Sequence, residues 1–294
     1  MATRLTSPRP SERTPYPPPH AVRWALRRVR RRRRSALILA YHGVADLPLS
    51  VDPVHLMIPE RALRAQVQAL LEAGFRFVTV AELGGLRRSG RPTHGLAALT
   101  FDDGLASVLE PLMTLAEEGV RASVYPVVAW IGGRHPMVPQ AEQARILDAV
   151  ELRALAEIGV EIGAHSITHT DLSTLSYSDC LRELRGSRDM LEEITSRPVL
   201  TLAYPYGRHT ELVRRAAREA GFIAALAVED GGPEPLAMVR APVQRPHGWT
   251  AFTLKAAGLW PALRRSHSGR ALRFATRPLR ARAQRRRDSG REAR

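Results

Sequence analysis

From residue 36 onward the chain alternates short β-rich runs with amphipathic helical runs, and this alternation limits the fold more than any other feature. ALILAYHGV, FRFVTV, LAALTF, RASVYPVVAW, VEIGAHS, PVLTLAYPYG, FIAALAV and AMVRAPVQ read as strands. Between and after them PERALRAQVQALLEAG, AELGGLRRSG, SVLEPLMTLAEEG, AEQARILDAVELRALAEIG, SYSDCLRELRGSRDMLEEITS, TELVRRAAREAG and TAFTLKAAGLWPALRR read as helices. Strands that alternate with helices build a parallel sheet with helices packed outside it. About seven to eight strands predict a closed or nearly closed (β/α) barrel. In such a barrel the chemistry sits at the C-terminal ends of the strands. There is no Gly-rich phosphate fingerprint and no internal repeat.

The 294 residues carry a formal net charge of +15, and Lys255 is the only lysine. The excess lies mainly at the ends: Arg27, Arg28 and Arg30 to Arg34 in one cluster, Arg277 to Arg294 in another. Like-charge blocks repel and bury little apolar area. The sequence therefore predicts a disordered Pro/Arg-rich tail over 1–35, a folded domain over 36–265 and a basic tail over 266–294. The Arg-rich ends suit peripheral contact with an anionic membrane. No zinc finger or aromatic-interleaved basic stripe points to specific nucleic-acid recognition. Ala36 to Tyr41 is shorter than the roughly 7–15 apolar residues of a signal peptide core, and no stretch approaches the roughly 20 of a membrane span. The expected location is the cytoplasm or its membrane face. The single cysteine, Cys180, excludes an intramolecular disulfide. Oligomeric state is not legible.

Polar residues gather where the barrel pattern places a site. His42 follows the first strand. Asp102 and Asp103 follow LAALTF, His165 and His169 follow VEIGA, and Tyr204, Pro205, Tyr206 and Gly207 follow VLTLA. His165 and His169, four apart, would share one face of a helical turn and could bind one cation. Two imidazoles and a carboxylate suit a divalent transition metal. One Asp of the pair would bind it, and the other would act as general base. The cation would also lower the cost of two adjacent carboxylates.

LTFDDG, HSITH and AYPYG, in this order, resemble the polysaccharide deacetylases with a NodB-like domain (carbohydrate esterase family 4). The form YPYG resembles the branch that includes poly-N-acetylglucosamine deacetylases. The resemblance spans about 36–245 and implies a distorted, incomplete barrel. It implies metal-dependent hydrolysis of N-acetyl groups, usually on N-acetylglucosamine units of a glycan, with zinc as first choice of metal; a cytoplasmic location would suit a lipid- or nucleotide-linked sugar. By resemblance Asp102 is the base; Asp103, His165 and His169 hold the metal; and the Tyr206 N–H helps hold the oxyanion. Tyr204, Pro205 and Gly207 are candidate substrate-binding residues, and Pro205 and Gly207 shape the loop. His247 is the leading candidate for the general acid, with His42 a second candidate or a pocket residue, and Trp249 could stack on a sugar. Many relatives supply an Arg where this chain has Ala203, which leaves the support of Asp102 to be found. The alternatives are a cyclic imide or ureide hydrolase and a degenerate carbohydrate-binding barrel.

Overall fold

A computed structural model describes residues 18–48, 50–228, 231–232, 234–245 and 248–259. Helix α1 (His20–Arg32) leads into β1 (Leu37–Tyr41), and a short parallel pair, β2 (Gly43–Val44) and β3 (Met57–Ile58), precedes α2 (Glu60–Glu72). Then come β4 (Arg76–Phe77), α3 (Val80–Arg88), β5 (Leu96–Asp103), α4 (Leu109–Glu117), β6 (Ala122–Pro126) and α5 (Ala149–Glu157). The second half holds β7 (Glu161–Ile162), α6 (Tyr177–Thr195), β8 (Thr201–Ala203), α7 (Glu211–Glu219), β9 (Ala224–Ala227), β10 (Met238–Val239), β11 (Ala241–Pro242) and α8 (Trp249–Ala256).

The strands close into a ring. One parallel sheet runs β11–β1–β5–β6–β7, and a second runs β8–β9–β10. Two contacts join them. Ala164, just past β7, bridges to Leu202 of β8. On the other side the closing segment changes partner at Arg240: β10 pairs with β9 and β11 pairs with β1. Counting β10 and β11 as one position, the ring is β1, β5, β6, β7, β8, β9 and β10/β11, the expected seven-membered distorted barrel. β4 pairs with the start of β5 and lies outside this count.

Strand side chains alternate between the two faces. Leu39, Leu99, Val124, Leu202 and Ala225 join the large core beneath the helices. Ile38, Ala98, Tyr125, Ala203, Leu226 and Met238 form a second cluster that fills the ring. The interior is built from small residues around a few large ones. Gly163 shows why: a Cβ there would stand 2.3 Å from the ring of Tyr125. Asp102 shares the inward parity of Ala98 and Thr100. That parity brings a carboxylate into the top of the barrel.

Several expected boundaries move for identifiable reasons. The strand FRFVTV stops at Phe77 because Thr79 and Glu82 form a capping box that starts α3. The long helix expected over 141–159 begins only at Ala149, where Asp148 and Glu151 form another capping box; residues 131–148 form a folded loop instead. The expected disorder over 1–35 is corrected over His20–Arg32. There Leu26 is fully buried, Val22 and Val29 pack against the core, and Arg23 pairs with Glu72 at 3.1 Å. An apolar stripe on the inner face outweighs the repulsion of the arginines on the other. Residues 1–17 and the basic tail over 266–294 lie outside the described residues.

Candidate active site

β5 carries Asp102 and Asp103 to its final residues, both buried. Parity points Asp102 inward. Asp103 would point outward, but its φ of 68° breaks the alternation and swings its carboxylate to the rim. Gly104 continues the turn with φ 73°, and a Cβ there would meet Pro126 at 2.7 Å. Left-handed backbone is uncommon outside glycine, so the turn holds both carboxylates at the site at some cost.

Asp102 is held by a residue that the sequence reading missed. Arg240, at the break between β10 and β11, donates from Nη1 to Oδ1 at 2.6 Å and from Nη2 to Oδ2 at 2.8 Å. Nη1 also donates to Thr100 Oγ1 at 3.1 Å, and that hydroxyl donates to the Leu39 carbonyl. Burial by itself would raise the Asp102 carboxyl, but the Arg240 charge and then His165 outweigh it and hold the group below the usual carboxylate range.

Around Asp103 stand four imidazoles. His165 Nε2 and His169 Nε2 lie 3.6 and 3.5 Å from its Oδ1; His135 Nε2 and His42 Nε2 lie 3.0 and 4.0 Å from its Oδ2. Burial opposes ionisation here too, yet the His135 hydrogen bond and the charges of His42 and His169 hold the carboxyl far below its ordinary value. Burial, reinforced by His165, pushes the His169 imidazole down to about 4, so its nitrogen lone pair is available at neutral pH.

His165 and His169 meet with ring centroids 4.8 Å apart, but no helix presents them. Ser166 and His169 take φ values of 62° and 61°, and Ser166 Oγ accepts from the His169 N–H. The expected helical turn is replaced by a loop. Glu183 of α6 braces it by accepting from the Ile167 and Thr168 N–H groups.

These residues fit a divalent metal. One ligand atom each from Asp103, His165 and His169 lies within 4.8 Å of the others. Asp103 Oδ1 is buried and accepts no hydrogen bond. His165 Nδ1–H donates to the Ala203 carbonyl at 2.6 Å, which leaves Nε2 free to ligate.

The third motif arrives beside them. Tyr206 has φ 60° and ψ 6°, is half exposed, and places its ring 4.8 Å from that of His169. Trp130 faces His169 from another side at 5.1 Å. Pro205 and Gly207 are buried and shape the loop. Tyr204 is not a substrate contact: it is fully buried and its hydroxyl donates to the Leu236 carbonyl. Trp249 is likewise in the core, packed edge-on against Phe252. His247 lies outside the described residues. His42, partly exposed, does reach the site.

Comparison with known proteins agrees with the fold. The polysaccharide deacetylase family matches residues 89–225, which include Asp102, Asp103, His165, His169 and the third motif but neither His42 nor Arg240. YxkH of Bacillus subtilis strain 168, provisionally named a polysaccharide deacetylase, is 22% identical over 196 residues. That stretch covers 66% of this chain and 64% of YxkH, so the chain spans just under two thirds of that relative. Among solved structures, the Streptococcus pyogenes deacetylase PplD in complex with acetate superposes with a TM-score of 0.65 at 18% identity, covering 75% of this chain and 97% of PplD. IcaB from Ammonifex degensii gives 0.63 at 19% identity, covering 76% and 98%. The fold and site thus define a NodB-like α/β barrel. Residues 89–225 match the polysaccharide deacetylase family.

Proposed function

We propose that this protein is a metal-dependent N-deacetylase acting on an N-acetylated glycan or a lipid- or nucleotide-linked sugar. The observation that carries the reading is the division of labour between adjacent carboxylates. Asp103 Oδ1 faces two imidazoles, while Asp102 is held ionised by Arg240. Asp103, His165 and His169 would hold the metal, with zinc the first choice for an N,N,O donor set. When bound, a divalent ion supplies Lewis-acid polarisation of the acetyl carbonyl and of water. Asp102 takes the proton from the attacking water. The Tyr206 N–H donates to the oxyanion that forms on the acetyl oxygen. His42 then delivers a proton to the departing sugar nitrogen, without which the amine is a poor leaving group. His42 takes this role because it is the additional histidine that reaches the site from a strand end. Trp130 and Tyr206 would flank the sugar as aromatic walls. The intact Asp, Asp, His, His set favours catalysis over a degenerate binding barrel.

The test is metal content together with acetate release from N-acetylglucosamine oligomers. Asp102→Asn should keep metal and lose about 10²–10⁴ in turnover, the usual worth of a general base. His165→Ala should lose both. Full acetate release by Asp102→Asn would exclude the mechanism.

The same enzyme would work at an anionic membrane surface. Trp24, Arg27, Arg28 and Arg31 share one exposed stripe of α1, and the Arg28 guanidinium lies 4.5 Å over the Trp24 ring. None of the four pairs with a carboxylate among the described residues. A basic face with a tryptophan suits anionic headgroups. Cosedimentation with phosphatidylserine vesicles should fall sharply in a Trp24→Ser, Arg28→Ser, Arg31→Ser variant; equal binding to neutral vesicles, or retention of binding by the variant, would exclude this surface. No described helix is long and apolar enough to cross a membrane.

A further inference from the structure

His135 lies in the loop between β6 and α5, in a stretch (RHPMVPQAEQAR) with no sequence signal for a site. The loop is folded tightly on itself. The His135 N–H donates to the Ala144 carbonyl at 2.8 Å, the Ile146 N–H to the Gly133 carbonyl at 2.9 Å, and the Arg134 Nε to the Pro139 carbonyl at 2.9 Å. It is also fastened to the turn that carries Asp103. The Leu147 N–H donates to the Gly104 carbonyl at 2.8 Å, and the Ala106 N–H to the Arg145 carbonyl at 2.7 Å.

This framework sets one imidazole with little freedom. His135 is 1% exposed and lies edge-on to Trp130. Its Nδ1 accepts from the Met137 N–H at 3.2 Å, which requires the ring proton to sit on Nε2. Nε2 lies 3.0 Å from Asp103 Oδ2 and therefore donates to it. The other oxygen, Oδ1, is the one that faces His165 and His169 and accepts no hydrogen bond. His135 is not part of the three-atom cluster that could hold the ion.

We propose that His135 is a positioning residue: its Nε2–H engages Asp103 Oδ2, so that the carboxylate presents Oδ1 alone to the metal. A carboxylate free to rotate could offer either oxygen or chelate with both. Outer partners of this kind are worth about 10- to 100-fold in metal affinity. The proposal rests on the reading of Asp103 as a metal ligand.

The experiment compares Zn2+ affinity, by competition with a chromophoric chelator, in chelator-stripped wild type, His135→Leu, His135→Gln and Asp103→Ala. Leucine fills the space without a donor; glutamine keeps an amide N–H at similar reach. The expected result is affinity about 10- to 100-fold weaker in His135→Leu, mostly restored in His135→Gln, with the metal-free proteins melting alike. Co2+-loaded wild type and His135→Gln should show the same d–d absorption. Wild-type affinity in His135→Leu would overturn the proposal, because packing alone would then suffice. Glutamine as weak as leucine, with altered Co2+ bands, would overturn it in favour of direct ligation. Equal metal binding by wild type and Asp103→Ala would instead overturn the reading of the site on which the proposal rests.

Discussion

Arg240 and Asp102 are 138 residues apart in sequence, yet they form a two-pronged ion pair inside the barrel, with contacts of 2.6 and 2.8 Å. Both are buried. Ala203, where the resemblance leads one to expect an Arg, is buried, and its carbonyl accepts from His165. The supporting charge comes from the strand that closes the barrel.

Removing the arginine alone should be worse than removing both charges. Arg240→Leu leaves a buried carboxylate without a partner, a loss of about 3–5 kcal/mol. Arg240→Leu combined with Asp102→Asn should recover part of that loss, since a neutral amide needs no counter-charge. Thermal melts of the two variants and wild type check this; equal melting of all three would show that the pair does not stabilise the fold.

Stability of the metal-free protein should rise with pH between about 4 and 6.5. His169 falls from an ordinary 6.5 to about 4 on folding, so the unfolded chain binds the proton more readily across that window. Asp102 and Asp103 are also held below their unfolded values. Their contribution is therefore present above about pH 4 and is lost as pH falls through their folded values. Melting temperature against pH for wild type and His169→Gln should diverge between pH 6.5 and 4, with the variant flatter. Parallel curves would contradict the assignment.

At the other end of the barrel Glu161 is a structural carboxylate. It accepts from the Val80 N–H at 2.7 Å, the Ala81 N–H at 3.2 Å, and the Ser123 and Thr201 hydroxyls, each at 2.6 Å. Glutamine would turn an N–H toward at least one of these donors. Glu161→Gln should cost about 1–3 kcal/mol in chemical denaturation, with acetate release per folded molecule unchanged.

The helix before the barrel should behave as part of the domain. Leu26→Ala removes a fully buried side chain and should cost about 2–5 kcal/mol. A melting temperature unchanged by this substitution would restore the view of residues 20–32 as a tail.

Much of the architecture is legible in one dimension. The order of strands and helices, the barrel class and the gathering of Asp102, Asp103, His165 and His169 at strand ends all follow from local periodicity and motif order. The boundaries that moved did so through short-range capping by Thr79 and Asp148, signals that are present in the sequence but weaker than the hydrophobic pattern around them.

What the sequence determined by itself is thus a parallel barrel with two carboxylates and two imidazoles at its strand ends, because local periodicity and motif order fix which strand ends carry them. Only the tertiary structure decided which side chains support that rim. Arg240 is one of 44 lysines and arginines, and His135 is one of ten histidines. Nothing local distinguishes either. Arg240 reaches Asp102 because the closing strand passes from β9 to β1 at that residue, and His135 reaches Asp103 because its loop is fastened to the turn after β5. The same closure buries Tyr204 and Trp249, whose aromatic rings look like sugar contacts in sequence. Pairings between distant side chains are set by chain closure, and no periodicity encodes them.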